Sequence, residues 1–106
     1  MLSKKNRVDK DTVEKIFKTG RFVNSPNLSF KFILDKNFPT PRISFIVPKK
    51  VAKSAVERNF LRRYGYLALQ KYFHQFPAGI LGVFVFNKNS IENLENEIKN
   101  ILNKIN

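Results

Sequence analysis

The side chains of this chain are poorly suited to bond-making chemistry. Cysteine is absent and His74 is the single histidine. Thiolate nucleophiles, disulfide frameworks, thiolate zinc sites and multi-histidine metal sites are therefore excluded. His74 has no evident Ser or Asp partner, so it reads as a surface or internally satisfied histidine. Paired catalytic carboxylates need two acids converging on one point. Asp9 and Asp11 sit where a helix is expected to start, and N-capping accounts for them. Glu92, Glu95 and Glu97 fall in the first turns of the last expected helix, where they complement its dipole. The glycines, at 20, 65, 79 and 82, are scattered and form no phosphate-cradling loop. No catalytic residue and no metal ligand is assigned.

What the chain does carry is a grip for a polyanion. Twenty Lys plus Arg against eight Asp plus Glu leave a formal net charge of +12 over 106 residues. A field of that size opposes folding through self-repulsion and points to an anionic partner, nucleic acid first. A membrane surface is the weaker candidate, because it calls for a basic amphipathic helix with bulky apolar residues opposite. Between Arg42 and Arg63, seven bases (Arg42, Lys49, Lys50, Lys53, Arg58, Arg62 and Arg63) face one acid, Glu57, a net of +6. Lys49, Lys50 and Lys53 load a strand-to-helix connection. Arg58 and Arg62 lie about one helical turn apart with Arg63 beside them, and Asn59 adds an amide on the same arc. Arginine forks hold phosphate oxygens in pairs, so a rigid helix carrying them is a reader of nucleic-acid backbone. A merely solvated face mixes signs, and this one does not. The second set is aromatic. Phe30 and Phe32 alternate with Lys31 on an expected strand, and Phe17 comes from the first helix. Aromatics interleaved with cations hold single strands by base stacking. Ordinary core packing is the competing account of each Phe.

These residues need elements to position them. With a hydrophobic fraction of 42%, residues 1–106 support one domain with one modest core. No apolar run approaches the roughly 18 residues of a membrane span. The N-terminal Met1-Leu2-Ser3-Lys4-Lys5-Asn6-Arg7 has no apolar stretch behind its charge, so no signal peptide is read and a soluble cytoplasmic protein is expected. The pattern predicts a first helix from Asp11 to Thr19, with Asp11 as N-cap and Glu14 closing a capping box. Val13, Ile16 and Phe17 share one of its faces. Arg21 to Asn24 is a weak strand. From Leu28 to Leu34, Leu28, Phe30, Phe32 and Leu34 point to one side and Ser29, Lys31 and Ile33 to the other. Arg42 to Val47 reads as a strand ending at Pro48. A helix is predicted from Ser54 to Phe73, with Leu61, Tyr64, Gly65, Ala68, Leu69 and Tyr72 as its apolar stripe. Gly65 inside it costs about 1 kcal/mol relative to Ala. Phe60 is expected to pack partly inward with Val56 and Leu67. Ile80 to Phe86 is almost continuously apolar, as for a strand buried on both faces. Ser90 is expected to cap a last helix with Ile91, Leu94, Ile98, Ile101, Leu102 and Ile105 inward. The order α-β-β-β-α-β-α is an α+β fold, an α/β sandwich with helices packed on one sheet.

The run Lys49-Lys50-Val51-Ala52-Lys53-Ser54-Ala55-Val56-Glu57-Arg58-Asn59, followed by Arg62-Arg63, resembles the RNR region of the bacterial ribonuclease P protein component. Lys4-Lys5-Asn6-Arg7-Val8 is similar to that family's basic start. Val13-Glu14-Lys15-Ile16-Phe17-Lys18-Thr19-Gly20 is similar to its first helix and the glycine after it. The last strand and helix match as well, so the resemblance covers nearly the whole chain. Three positions depart from the family's habit of carrying a cation, and they hold Phe60, Tyr66 and Asn87.

The resemblance implies a fold like the second domain of ribosomal protein S-five, with a left-handed crossover between parallel strands. It implies the protein subunit of a ribonucleoprotein endonuclease that removes the 5′ leader of precursor tRNA. The RNA subunit would carry the active site and its Mg²⁺, and the protein would bind no cofactor of its own. By position, Val13, Phe17, Lys31 and Phe32 would bind the precursor-tRNA leader. Lys49, Lys50, Lys53, Arg58, Asn59, Arg62 and Arg63 would bind the catalytic RNA subunit. No membrane and no small-molecule substrate is implied. A general RNA-binding or ribosomal protein explains the charge equally well, but not the matches at both termini. A stand-alone nuclease would need clustered acids for Mg²⁺, and only Asp9, Asp11 and Glu14 come near that.

Overall fold

The computed structural model describes residues 4–105. Met1, Leu2 and Ser3, read above for a targeting segment, lie outside the described residues. The elements are α1 (Lys10–Thr19), β1 (Arg21–Asn24), β2 (Leu28–Leu34), β3 (Arg42–Ile46), α2 (Ala55–Gln70), β4 (Ile80–Phe86) and α3 (Leu94–Ile105), with short 3-10 turns at Lys4–Asn6 and Phe73–Gln75. The α-β-β-β-α-β-α order is as the sequence predicts.

Three helix boundaries differ from expectation, each for a local reason. The cap of α1 is Asp9 rather than Asp11. The Asp9 carboxylate accepts the Thr12 N–H at 2.8 Å and its carbonyl accepts the Val13 N–H at 3.0 Å, so the helix begins at Lys10. Helix α2 stops at Gln70, three residues early, and the chain tightens into the 3-10 turn. Helix α3 begins at Leu94, not after Ser90. The Ser90 hydroxyl accepts the Glu92 N–H at 3.2 Å in a turn, and Asn93 takes a φ of 58°, a left-handed conformation that Asn tolerates. Ile91 therefore lies outside the helix and is exposed.

The four strands form one sheet in the order β1-β2-β4-β3, with β3 parallel to β4 and the other pairs antiparallel. Residues opposite each other across strands share a face. One face presents Leu28, Phe30, Phe32, Ile43, Phe45, Phe84 and Phe86 to the core shared with α2 and α3. The other presents Leu81 and Val83 to Ile16 of α1. The central strand β4 is thus buried on both faces, as its unbroken apolar run predicts. Each fully buried Phe contributes about 1.5–3 kcal/mol relative to exposure. Two glycines permit close approach. The Phe30 ring lies where a side chain on Gly82 would stand, and a Cβ on Gly65 would come within 2.7 Å of the Phe45 ring. The helical cost of Gly65 thus lets α2 seat directly on β3.

Glu97 has a larger role than dipole compensation. Its buried carboxylate accepts the Ser25 hydroxyl at 2.7 Å and the Asn27 and Leu28 N–H groups at 2.8 and 3.1 Å. One side chain of α3 thereby holds the whole β1–β2 turn.

Candidate nucleic-acid interface

The cationic arc is built on a helix with a firm start. Ser54 and Glu57 form the capping box that opens α2. The Ser54 hydroxyl accepts the Glu57 N–H at 3.1 Å and donates to the Glu57 carboxylate at 3.0 Å. The Ser54 hydroxyl first, and then the Ser54 N–H, which donates to the same carboxylate at 3.3 Å, hold the Glu57 carboxyl below its ordinary pKa. Arg58 faces back toward the preceding connection, and its Nη1 donates to the carbonyls of Ala52 at 3.0 Å and Lys53 at 2.8 Å. It therefore fixes the turn that displays Lys49, Lys50 and Lys53, all exposed. Arg62 donates to the Asn59 side-chain oxygen, which orients the fork, and Arg63 is exposed. Among the described residues the one ion pair joins Lys71 to Glu95 at 3.0 Å, away from this arc. The cations from Arg42 to Arg63 thus keep their charge for a partner.

On the opposite sheet face the structure brings Phe17 and Lys31 together, whereas Phe30 and Phe32 of the expected aromatic set lie in the core. Lys31 is half-buried, with its ammonium 4.9 Å from the Phe17 ring centre and 5.7 Å from that of Phe22. Phe22 pairs with Lys31 across the β1–β2 ladder, and Val13 lies about one helical turn before Phe17 on α1. Phe17 and Phe22 are 42% and 53% exposed, leaving ring surface free to stack. Phe32 is not part of this surface. It points to the other face, is buried, and stacks on Phe30 at 5.4 Å. Strand alternation separates it from Lys31, so one strand cannot present both to the same ligand. Phe22 stands on the Lys31 side instead, at a position that the β1–β2 register sets.

Between these two surfaces lies an open cleft of about 570 Å³, lined by Arg7, Lys10, Val13, Arg42, Arg62 and Tyr66 among others. The Val8 N–H donates to the Ser44 hydroxyl at 2.9 Å and pins the N-terminal segment to β3. That contact sets the Arg7 guanidinium 5.8 Å from the Tyr66 ring centre. The Arg7 Nε is buried and has no hydrogen-bond partner. Arg7 and Arg42 were legible as bases but not as members of a site, because their meeting with Arg62 is set by tertiary contacts. The carboxylates are dispersed. Asp9 caps α1, where the Thr12 backbone bond is the main cause that holds its carboxyl below the ordinary range. Among the described residues no three His, Cys, Asp or Glu side chains gather where a metal ion could sit, and no helix is long and apolar enough to cross a membrane.

A protein-family model described as Ribonuclease P matches residues 2–106. The chain belongs to the ribonuclease P protein family. It is similar to the ribonuclease P protein component of Pseudanabaena sp., with 31% identity over 109 residues, covering 98% of this chain and 94% of that one. Its fold is that of the RNase P protein of Staphylococcus aureus, with a TM-score of 0.80 at 16% identity, over 94% of each chain. The RNase P protein of Thermotoga maritima gives 0.79 at 20% identity, over 94% of this chain and 97% of that one.

The chain is accordingly the protein subunit of ribonuclease P, the ribonucleoprotein endonuclease of tRNA 5′ maturation. The three positions at which the resemblance expects a cation have distinct structural outcomes. Tyr66 is buried, and its hydroxyl accepts the Phe45 N–H at 3.2 Å, while Arg7 supplies a cation at the same spot. Asn87 knits the end of β4 to the β1–β2 turn, donating to the Ser25 carbonyl at 3.3 Å and to the Ser29 hydroxyl at 3.0 Å. Phe60 does not pack inward with Val56 and Leu67 as the sequence suggests. All three point outward, and Phe60 contacts Tyr64 instead, with ring centres 4.7 Å apart.

Proposed function

We propose that this subunit grips two RNAs with two surfaces. The arc of Arg58, Asn59, Arg62 and Arg63, with Lys49, Lys50 and Lys53 on the tethered turn, binds the catalytic RNA. The groove of Val13, Phe17, Phe22 and Lys31 binds the 5′ leader of precursor tRNA. The observation that carries this reading is a capped, rigid helix whose cations lack carboxylate partners, in a chain of this family. Arginine forks on such a helix fit phosphate oxygens. On the other surface, exposed rings flanking an ammonium suit unpaired bases and their backbone. The cleft with Arg7, Arg42 and Arg62 would continue positive potential from one surface to the other. Bond cleavage and its Mg²⁺ belong to the RNA subunit. The protein's own residues bind and orient, and the work is cytoplasmic.

The test is cleavage of precursor tRNA by the cognate catalytic RNA at low Mg²⁺, with and without the protein. Added protein should restore cleavage, and it should tighten binding of precursor tRNA to the holoenzyme more than binding of leaderless tRNA. The protein alone should cleave nothing. Tight RNA binding without stimulation would favour a general RNA-binding role, and cleavage by the protein alone would overturn the division of labour.

A further inference from the structure

The outer pole of α2 is apolar. At 100° per residue, buried Leu61, Gly65, Ala68 and Leu69 define the inner side of the helix. Val56, Phe60 and Leu67 lie within about 40° of one another on the opposite side, and they are 79%, 46% and 49% exposed. The pole of a surface helix farthest from its core is ordinarily its polar one. A contiguous apolar patch there marks a binding surface. Phe60 and Tyr64 lie against each other with their planes tilted by 49°, which props the Phe60 ring while leaving much of it open. Helix α3 does not cover the patch, because Tyr64 and Leu67 border an open groove between α2 and the start of α3.

Charge selects the occupant. Arg63 stands at the edge of the patch, about 60° from Phe60, and Asn59 lies beyond it. A second copy of this chain docked α2 to α2 would press two arginine arcs together in a molecule carrying +12, at a large electrostatic cost. An RNA strand reverses that sign, and a ring beside a guanidinium is a combination that holds an unpaired nucleobase and its phosphate. We propose that Phe60 and Tyr64 form a stacking shelf for one unpaired base of the RNA that α2 binds, with Arg63 on the adjoining phosphate. The inference rests on α2 facing the catalytic RNA. It puts a base contact at the position where the family resemblance expects a cation.

The chain has no tryptophan, so Phe60→Trp introduces a single indole reporter. On addition of the cognate catalytic RNA its fluorescence should be quenched, with affinity close to the parent's. Phe60→Leu keeps an apolar side chain but removes the ring, and should weaken binding roughly 5- to 150-fold with an unchanged melting temperature. The double variant Lys50→Ala, Arg62→Ala probes the underlying reading without touching the shelf. If it loses affinity while F60W stays unquenched and F60L binds normally, α2 faces RNA and the shelf is wrong. If it binds as the parent does, the RNA-facing role of α2 fails, and the shelf with it. A concentration-dependent dimer in sedimentation, abolished by F60L, would assign the patch to a second copy and overturn the proposal.

Discussion

Lys31, Phe17 and Phe22 show how a residue's facing decides which surface it can serve. Across β2 the alternation is strict, so Lys31 and Phe32 face opposite layers although adjacent in sequence. That parity is readable from the sequence. The resemblance put both in one site, and alternation alone was enough to separate them. Phe22 was harder to see, because β1 is short and its partner is known only once the hairpin register is set. The two kinds of Phe should behave differently on truncation. Phe17→Ala and Phe22→Ala should each weaken precursor-tRNA binding by about 1–3 kcal/mol, leave leaderless tRNA unaffected, and hardly move the melting temperature. Phe32→Ala should instead cost about 3–5 kcal/mol of stability and affect both substrates alike. Parallel binding titrations and thermal melts of the three variants check this. A stable Phe32→Ala variant with selective loss of precursor binding would restore that residue to the leader groove.

At the scale of elements, the caps and one long-range carboxylate explain what local pattern could and could not reveal. The Ser54–Glu57 box was hidden in the motif that gave the family resemblance, yet Ser-x-x-Glu is itself a helix start. Ser54→Ala should destabilise the fold by about 0.5–2 kcal/mol and loosen the attached lysine-bearing turn. The Asp9 and Glu57 carboxyls both titrate below their ordinary range, through Thr12 and Ser54 respectively. A depressed folded-state pKa means stability that is complete above the unfolded value and is lost as pH falls through the folded one. Thermal melts should therefore fall on acidification through and below the ordinary carboxylate range, and Asp9→Asn with Glu57→Gln should make that fall shallower. Glu97 could not be read this way. Its partners Ser25, Asn27 and Leu28 lie some seventy residues earlier, and only the packing of α3 brings them near. Glu97→Ala leaves buried donors unsatisfied and should cost about 3 kcal/mol. A melting temperature equal to the parent's would show that water replaces the carboxylate.

For the whole molecule, element order and the doubly buried last strand were legible, whereas the β1-β2-β4-β3 arrangement was not. Hydrophobic pattern says which face is buried; it does not say that β4 inserts between β2 and β3. The charge was legible from composition, but its availability was not. It took the structure to show that Arg58 commits part of its guanidinium to the Ala52 and Lys53 carbonyls, while Arg63 is exposed. The distinction sets how salt should act on RNA affinity. Removing one cation from a phosphate should lower the slope of log K against log salt by roughly 0.7–0.9, the range from single-stranded to duplex nucleic acid. Arg62→Ala with Arg63→Ala should therefore reduce the slope for the catalytic RNA by about 1.4–1.8 while the melting temperature holds, since Ala favours the helix. Arg58→Ala should do something different, because it also releases the lysine turn. Its slope should drop by more than a single cation's share as Lys49, Lys50 and Lys53 lose their fixed placement. Titrations at several salt concentrations separate the two cases. Equal slope changes for Arg58→Ala and Arg63→Ala, tested singly, would mean that the turn is ordered without its arginine tether. A slope indifferent to Arg62 and Arg63 together would move the RNA contact away from α2, toward the cleft of Arg7 and Arg42.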